Sequence, residues 1–137
     1  MSDISLKNFV GGAHCLIVEP SSSFSANILN ALQEQGIPFS QMLTARRFQE
    51  AKRYIEEVKP KFVIMEYDLP DGHALALVDI IEKQCPDSER IVFVVTKNSS
   101  DSAIAEAAEG SVDAFVLKPF SIVSFKQKRD EVLKKKA

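Results

Sequence analysis

The chain has 137 residues, of which 45% are hydrophobic, with 17 Lys and Arg against 19 Asp and Glu for a net charge of -2. That is the size and composition of one globular domain with a self-sufficient core. The charge balance leaves no basic excess for nucleic acid or an anionic membrane, and no apolar run approaches the ~20 residues of a bilayer span. The first seven residues, Met1-Ser2-Asp3-Ile4-Ser5-Leu6-Lys7, lack the basic-then-apolar order of a secretion signal. Cys15 and Cys85 sit inside apolar stretches and read as reduced core residues of a cytoplasmic protein.

Residues 1–12 read as a lead segment and 13–137 as the domain proper. In chain order, the apolar run Cys15–Val18 predicts a strand and the stripe Phe24, Ile28, Leu29 and Leu32 predicts a helix over 23–35. Gly36 stands where that helix needs a left-handed cap. Phe39 to Thr44 alternates, with Phe39, Gln41 and Leu43 opposite Ser40, Met42 and Thr44, as an edge strand would. Phe48, Ala51, Ile55 and Val58 mark a helix over 46–59. Phe62–Met65 is the next strand, and Leu75, Val78 and Ile81 mark a helix over 73–84. Ile91–Val95 follows, then an alanine-rich helix over 101–109, the strand Ala114–Leu117 and a last, less regular helix over 121–137. Lys134, Lys135 and Lys136 read as its solvated end, favourable beside the negative pole of the helix dipole.

The inner runs do not alternate with polar residues, so both faces of the sheet are covered, and strands that alternate with helices run parallel. In such sheets reactive groups gather beyond the carboxyl ends of the strands. Here those ends carry Glu19, Glu66, Thr96 and Lys118. Two carboxylates, a hydroxyl and an ammonium are therefore expected on one rim. Asp68 and Asp71 follow in the loop after the third strand, Asp68-Leu69-Pro70-Asp71-Gly72. His14 and His73 are too isolated for a metal pair, and His73 reads as a helix N-terminal residue. Tyr54 and Tyr67 read as surface residues. No glycine-rich phosphate loop is present, which leaves little support for a nucleotide binder.

The sequence resembles the receiver domain of bacterial response regulators over about residues 13–136. The resemblance rests on Leu16-Ile17-Val18-Glu19, on Phe62-Val63-Ile64-Met65-Glu66 with Leu69-Pro70-Asp71-Gly72, on Val94-Val95-Thr96 and on Phe115-Val116-Leu117-Lys118-Pro119-Phe120. It implies an α/β, flavodoxin-like, doubly wound fold with a five-stranded parallel sheet in the order 2-1-3-4-5 and helices on both faces. It also implies phosphoryl transfer from a histidine kinase to an aspartate ending the third strand. In that scheme Mg²⁺ sits on acidic residues, the phosphoryl oxygens bind the strand-four hydroxyl and strand-five lysine, and an aromatic residue matching Phe115 switches rotamer. The Lys118–Pro119 bond is expected to be cis.

Three positions depart from that pattern. Four residues before Pro70 stands Glu66 rather than aspartate. Its extra methylene displaces the carboxylate, and in a reaction that depends on in-line positioning an error of about 1 Å costs roughly a hundredfold. The residue after Glu19 is Pro20, which removes an oxygen ligand from a metal that demands near-octahedral geometry. Lys97 follows Thr96, where the family places a small residue, and brings a second cation able to pair with Glu66 or Glu19. The three departures together favour a pseudo-receiver: a signalling domain that works through protein–protein contact, with no cofactor, metal or catalytic residue of its own. Glu66 is then either a built-in mimic of the phosphorylated state or only a structural partner of Lys118. The rival reading is an active receiver that uses Asp68 with Mg²⁺.

The expected partners are proteins. They include an output domain in a longer chain and a second copy through the face of the fourth helix, fifth strand and fifth helix, at Ile104, Ala108, Asp113, Phe115 and Ile122. Neither nucleic acid nor a membrane is expected.

Overall fold

The computed structural model describes residues 5–86, 89–97, 112–119 and 121–136. Its elements are α1 (Leu6–Val10), β1 (Cys15–Val18), α2 (Ser22–Glu34), β2 (Met42–Ala45), α3 (Phe48–Val58), β3 (Phe62–Glu66), the short β4 (Asp68–Leu69) and β5 (Gly72–His73), α4 (Ala74–Gln84), β6 (Ile91–Thr96), β7 (Ala114–Leu117) and α5 (Ile122–Lys136). β2, β1, β3, β6 and β7 form one sheet in that spatial order, every pair parallel. Counted along the chain this is the expected 2-1-3-4-5. β4 and β5 pair separately as a two-residue antiparallel ladder.

Period-two alternation divides the sheet side chains between two cores. Cys15, Ile17, Phe62, Ile64, Phe93, Val95 and Val116 face α1, α2 and α5, with Leu32, Phe125, Val132 and Leu133 packed on them. Leu16, Val18, Val63, Met65, Val92 and Val94 face α3 and α4, with Ala51, Ile55, Leu77, Val78 and Ile81. β1, β3 and β6 are buried along their whole length, which explains why their sequences are uninterrupted apolar runs. On the first face the rings of Phe62 and Phe93 meet edge-on at 5.4 Å, and Phe125 lies 5.6 Å from Phe93. Such pairs contribute about 0.5–1.5 kcal/mol beyond area burial. Cys15 and Cys85 are both free thiols. Burial pushes the Cys15 thiol up to about 12, so it stays protonated.

Several expectations are corrected. The segment 39–44 is not all strand: Phe39–Gln41 is a 3-10 turn and only Met42–Ala45 pairs with β1. The Gln41 side chain reaches back to donate to the carbonyls of Gly11 and Ala13, at 2.8 and 2.6 Å, so this alternation served the turn. The lead segment holds α1, whose Leu6 and Val10 are 1% and 2% exposed in the core. Tyr67 is buried rather than on the surface, its ring edge-on to His73 at 5.2 Å. Lys136 is not solvated, since its ammonium lies 2.9 Å from Asp113 Oδ1 and the side chain is 5% exposed. The helix expected over 101–109, with Ile104 and Ala108, lies outside the described residues. Gly36 does adopt a positive φ, 90°, after α2. His73 is the N-cap residue of α4, as expected.

Candidate functional site

Parallel register brings the strand ends to one level. Val18 pairs with Met65, Glu66 with Val95 and Thr96 with Leu117. The residues that leave β1, β3 and β7 at that level are Glu19, Glu66 and Lys118. Glu19 is 3% exposed, Glu66 9% and Thr96 2%, so these polar groups are inside the protein and need partners.

Lys118 supplies them. Its Nζ donates to Glu66 Oε1 at 2.7 Å and lies 2.6 Å from Glu19 Oε1, while its own side chain is 7% exposed. The other oxygen of each carboxylate takes a backbone N–H two residues on. Glu19 Oε2 accepts from Ser21 at 3.0 Å and Glu66 Oε2 from Asp68 at 2.9 Å. The ring of Phe24, in the first turns of α2, lies over the ammonium at 4.4 Å from Nζ. Burial alone would lower the Lys118 pKa, but the two carboxylates outweigh it and hold it above the ordinary lysine value. The backbone joins in, with Lys118 N–H donating to the Thr96 carbonyl at 2.9 Å. The Lys118–Pro119 peptide is cis.

The loops around the rim are pinned. The Pro20 carbonyl accepts from Arg46, from Nη2 at 2.9 Å and Nε at 3.3 Å. Asp71 works as a helix cap from outside the helix: its two oxygens accept the N–H groups of Phe48 and Gln49, at 2.6 and 3.2 Å, at the start of α3. Desolvation would raise its carboxyl. The N–H groups of Phe48, Gln49 and Asp71 itself, with the Arg47 charge, hold it below the usual carboxylate range. Gly72 is required beside it, because a Cβ there would meet the Phe48 ring at 2.7 Å. The Asp71-Gly72 pair therefore docks α3.

The structure gathers Glu19, Glu66, Thr96 and Lys118, with Pro20 in the loop that follows Glu19. It does not gather all the expected residues. Lys97 is exposed, and among the described residues no ion pair joins it to Glu66 or Glu19: Lys118 already occupies both carboxylates. Asp68 is exposed in the β4–β5 hairpin, where it pairs with His73. Phe115 is half-buried against the α3–α4 face. Asp113, expected on an interaction surface, instead accepts the Val92 N–H at 2.7 Å and holds Lys136. Sequence reasoning missed Ser21 and Phe24. Phe24 sits on the apolar stripe of its helix, so only the path of the preceding loop shows that its ring reaches a lysine.

Mg²⁺, which the resemblance implied, does not fit the residues present. The rim offers two carboxylates, both already engaged by an ammonium, and a proline at position 20. Among the described residues no cluster of three or more His, Cys, Asp or Glu could hold a metal. Two carboxylates against one ammonium leave this buried set with one excess negative charge.

Residues 15–129 match the response regulator receiver domain family. The chain is 24% identical over 119 residues to chemotaxis protein CheY1 of Helicobacter pylori, covering 86% of this chain and 94% of that protein. It is 30% identical over 108 residues to the transcriptional regulatory protein DpiA of Escherichia coli, covering 77% of this chain but only 46% of DpiA. Among solved structures, the beryllofluoride-activated NtrC4 receiver domain dimer superposes with a TM-score of 0.78 at 24% identity, over 90% of this chain and 98% of that one. The chain belongs to the response regulator receiver domain family, whose members are signalling modules of two-component systems. Among the described residues no helix is long and apolar enough to cross a membrane.

Proposed function

We propose that this receiver is a pseudo-receiver, a cytoplasmic module that signals through protein contacts and does not run an aspartate phosphorylation cycle. One observation carries the reading. Glu66, at the acceptor position, spends one oxygen on Lys118 and the other on the Asp68 N–H. Neither oxygen is presented to an incoming donor, and the lysine that would hold phosphoryl oxygens is already shared by two carboxylates. The excess negative charge of the rim further opposes an anion, since like charges in a poorly solvated site repel strongly. Protein contact has a candidate surface beside the rim, where Leu117, Ile122 and Val123 are 45%, 40% and 65% exposed. A second copy of this chain is the occupant proposed for it, as the NtrC4 receiver to which this fold is similar is a dimer.

The test is intact-protein mass spectrometry after incubation with acetyl phosphate and Mg²⁺. The expected result is no adduct on the wild type or on Glu66→Asp, and an adduct only once Pro20→Asp is added. A stoichiometric phosphoryl adduct on wild-type Asp68 overturns the reading. Efficient labelling of Glu66→Asp alone would show that Pro20 matters less than proposed.

A further inference from the structure

We propose that Phe24 is a lid on the rim, which withholds the Lys118 ammonium from anions and amine reagents in solvent. Opening the site then requires the Phe24 ring to turn away from the ammonium. The proposal rests on the locked-rim reading above and deepens it by naming what closes the lock.

Lys118 lies between Leu117 and Pro119, both exposed, at the outer end of β7. A lysine in that setting ordinarily extends its ammonium into water. Here the side chain is 7% exposed. The carboxylates of Glu19 and Glu66 account for its ionic contacts, and the phenyl ring of Phe24, 4.4 Å from Nζ, covers it. The negative face of an aromatic ring suits that role, because it shields the cation from water while still attracting it.

The lid is tied to the ion pair through one residue. Ser21 donates its N–H to Glu19 Oε2 at 3.0 Å, and its Oγ accepts the Phe24 N–H at 3.3 Å. Glu19, Ser21, Phe24 and Lys118 thus form a closed ring of contacts, completed by the 2.6 Å approach of Lys118 to Glu19. Turning Phe24 away removes a cation partner and uncovers the Lys118 ammonium, so position and closure are coupled. Ser21 also caps α2, which fixes where the ring stands relative to the strand ends.

The test is lysine-resolved acylation of the full chain with trace acetic anhydride, followed by mass spectrometry between about pH 8 and 10. Exposed Lys97 is the internal reference and the urea-unfolded chain gives intrinsic rates. In the wild type, Lys118 is expected to react at least tenfold more slowly than Lys97. Phe24→Ala should raise the limiting rate of the Lys118 free amine severalfold, beyond any shift of its titration midpoint, with circular dichroism unchanged. Phe24→Leu, which keeps bulk but has no ring face, should fall between the two and serves if the alanine variant does not fold. Equal reactivity of Lys118 and Lys97 in the wild type overturns the proposal, and so does an unchanged limiting rate in the folded variants. Acetyl phosphate labelling is read separately: an adduct on the wild type defeats the pseudo-receiver reading, whereas rapid acylation of Lys118 defeats only the lid.

Discussion

The two ends of the sheet each bury a lysine, and they do so differently. Beyond the carboxyl ends of the strands, Lys118 is shared by Glu19 and Glu66. At the opposite end, Lys136 of α5 meets Asp113, whose second oxygen accepts the Val92 N–H. The lower contact staples the last helix to the start of β6 and β7. The upper set ties the ends of three strands together through a single ammonium, and it carries one uncompensated negative charge. A buried ion pair is weak evidence of net stability, but breaking one from a single side is costly because it strands the other charge. The contrast therefore separates a local fastener from a group on which several elements depend.

The largest effect should come from Lys118→Met. It strands two carboxylates that are 3% and 9% exposed, and urea unfolding should show a loss of about 3–5 kcal/mol, the range for one-sided removal of a buried charge. The Lys118 pKa is raised on folding. Its contribution is therefore complete below the ordinary lysine pKa and is lost only as pH rises through the higher folded value. The wild-type stability should accordingly show no Lys118 step between pH 6 and 8. A Lys118→Met loss no larger than that of a surface lysine would break the comparison.

Leu6→Ala tests how firmly the lower end is built. Leu6 is 1% exposed in α1 and belongs to the core cluster that includes Val132 and Leu133, so about 2–5 kcal/mol should be lost. A negligible change would show that α1 adds little to the core it packs against. Asp113→Ala should cost less, about 1–3 kcal/mol for the orphaned Val92 N–H, because Lys136 stands at the last turn of its helix and can turn to solvent. Finding Asp113→Ala as damaging as Lys118→Met would erase the distinction between fastener and hub.

The smallest effect is expected of Asp71→Ala, which removes the cap on α3. Asp71 is exposed, and its folded pKa is depressed. Its contribution is present above the ordinary aspartate pKa and lost as pH falls through the folded value. The gap in melting temperature between wild type and variant should be modest at neutral pH and close in acid. A gap that persists at pH 2 would show that the carboxylate charge is not what caps the helix.

Much of the fold was legible in the chain. Cys15–Val18, Phe62–Met65 and Ile91–Val95 are apolar without interruption because both faces of those strands are covered, as in a parallel sheet between helices. The helices carry their stripes at helical spacing, and the polar residues closing the strands announced that Glu19, Glu66, Thr96 and Lys118 would share a level. Periodicity misled where side chains served something non-periodic: the 39–44 alternation belonged to a turn anchored by Gln41, and Tyr67 was buried by the β4–β5 hairpin that folds over it. What only tertiary structure decided was the pairing. The sequence set Lys118 among the strand ends and left Lys97 as a second cation able to pair with either carboxylate; in the fold Lys118 takes both, while Lys97 leaves β6 exposed. Likewise Asp71 and Phe24 looked like a loop acid and a core ring. Each acquired its role, cap or cover, from a partner distant in sequence, Phe48 for one and Lys118 for the other, because charge and hydrogen-bond needs are met by whatever the folded chain brings within reach.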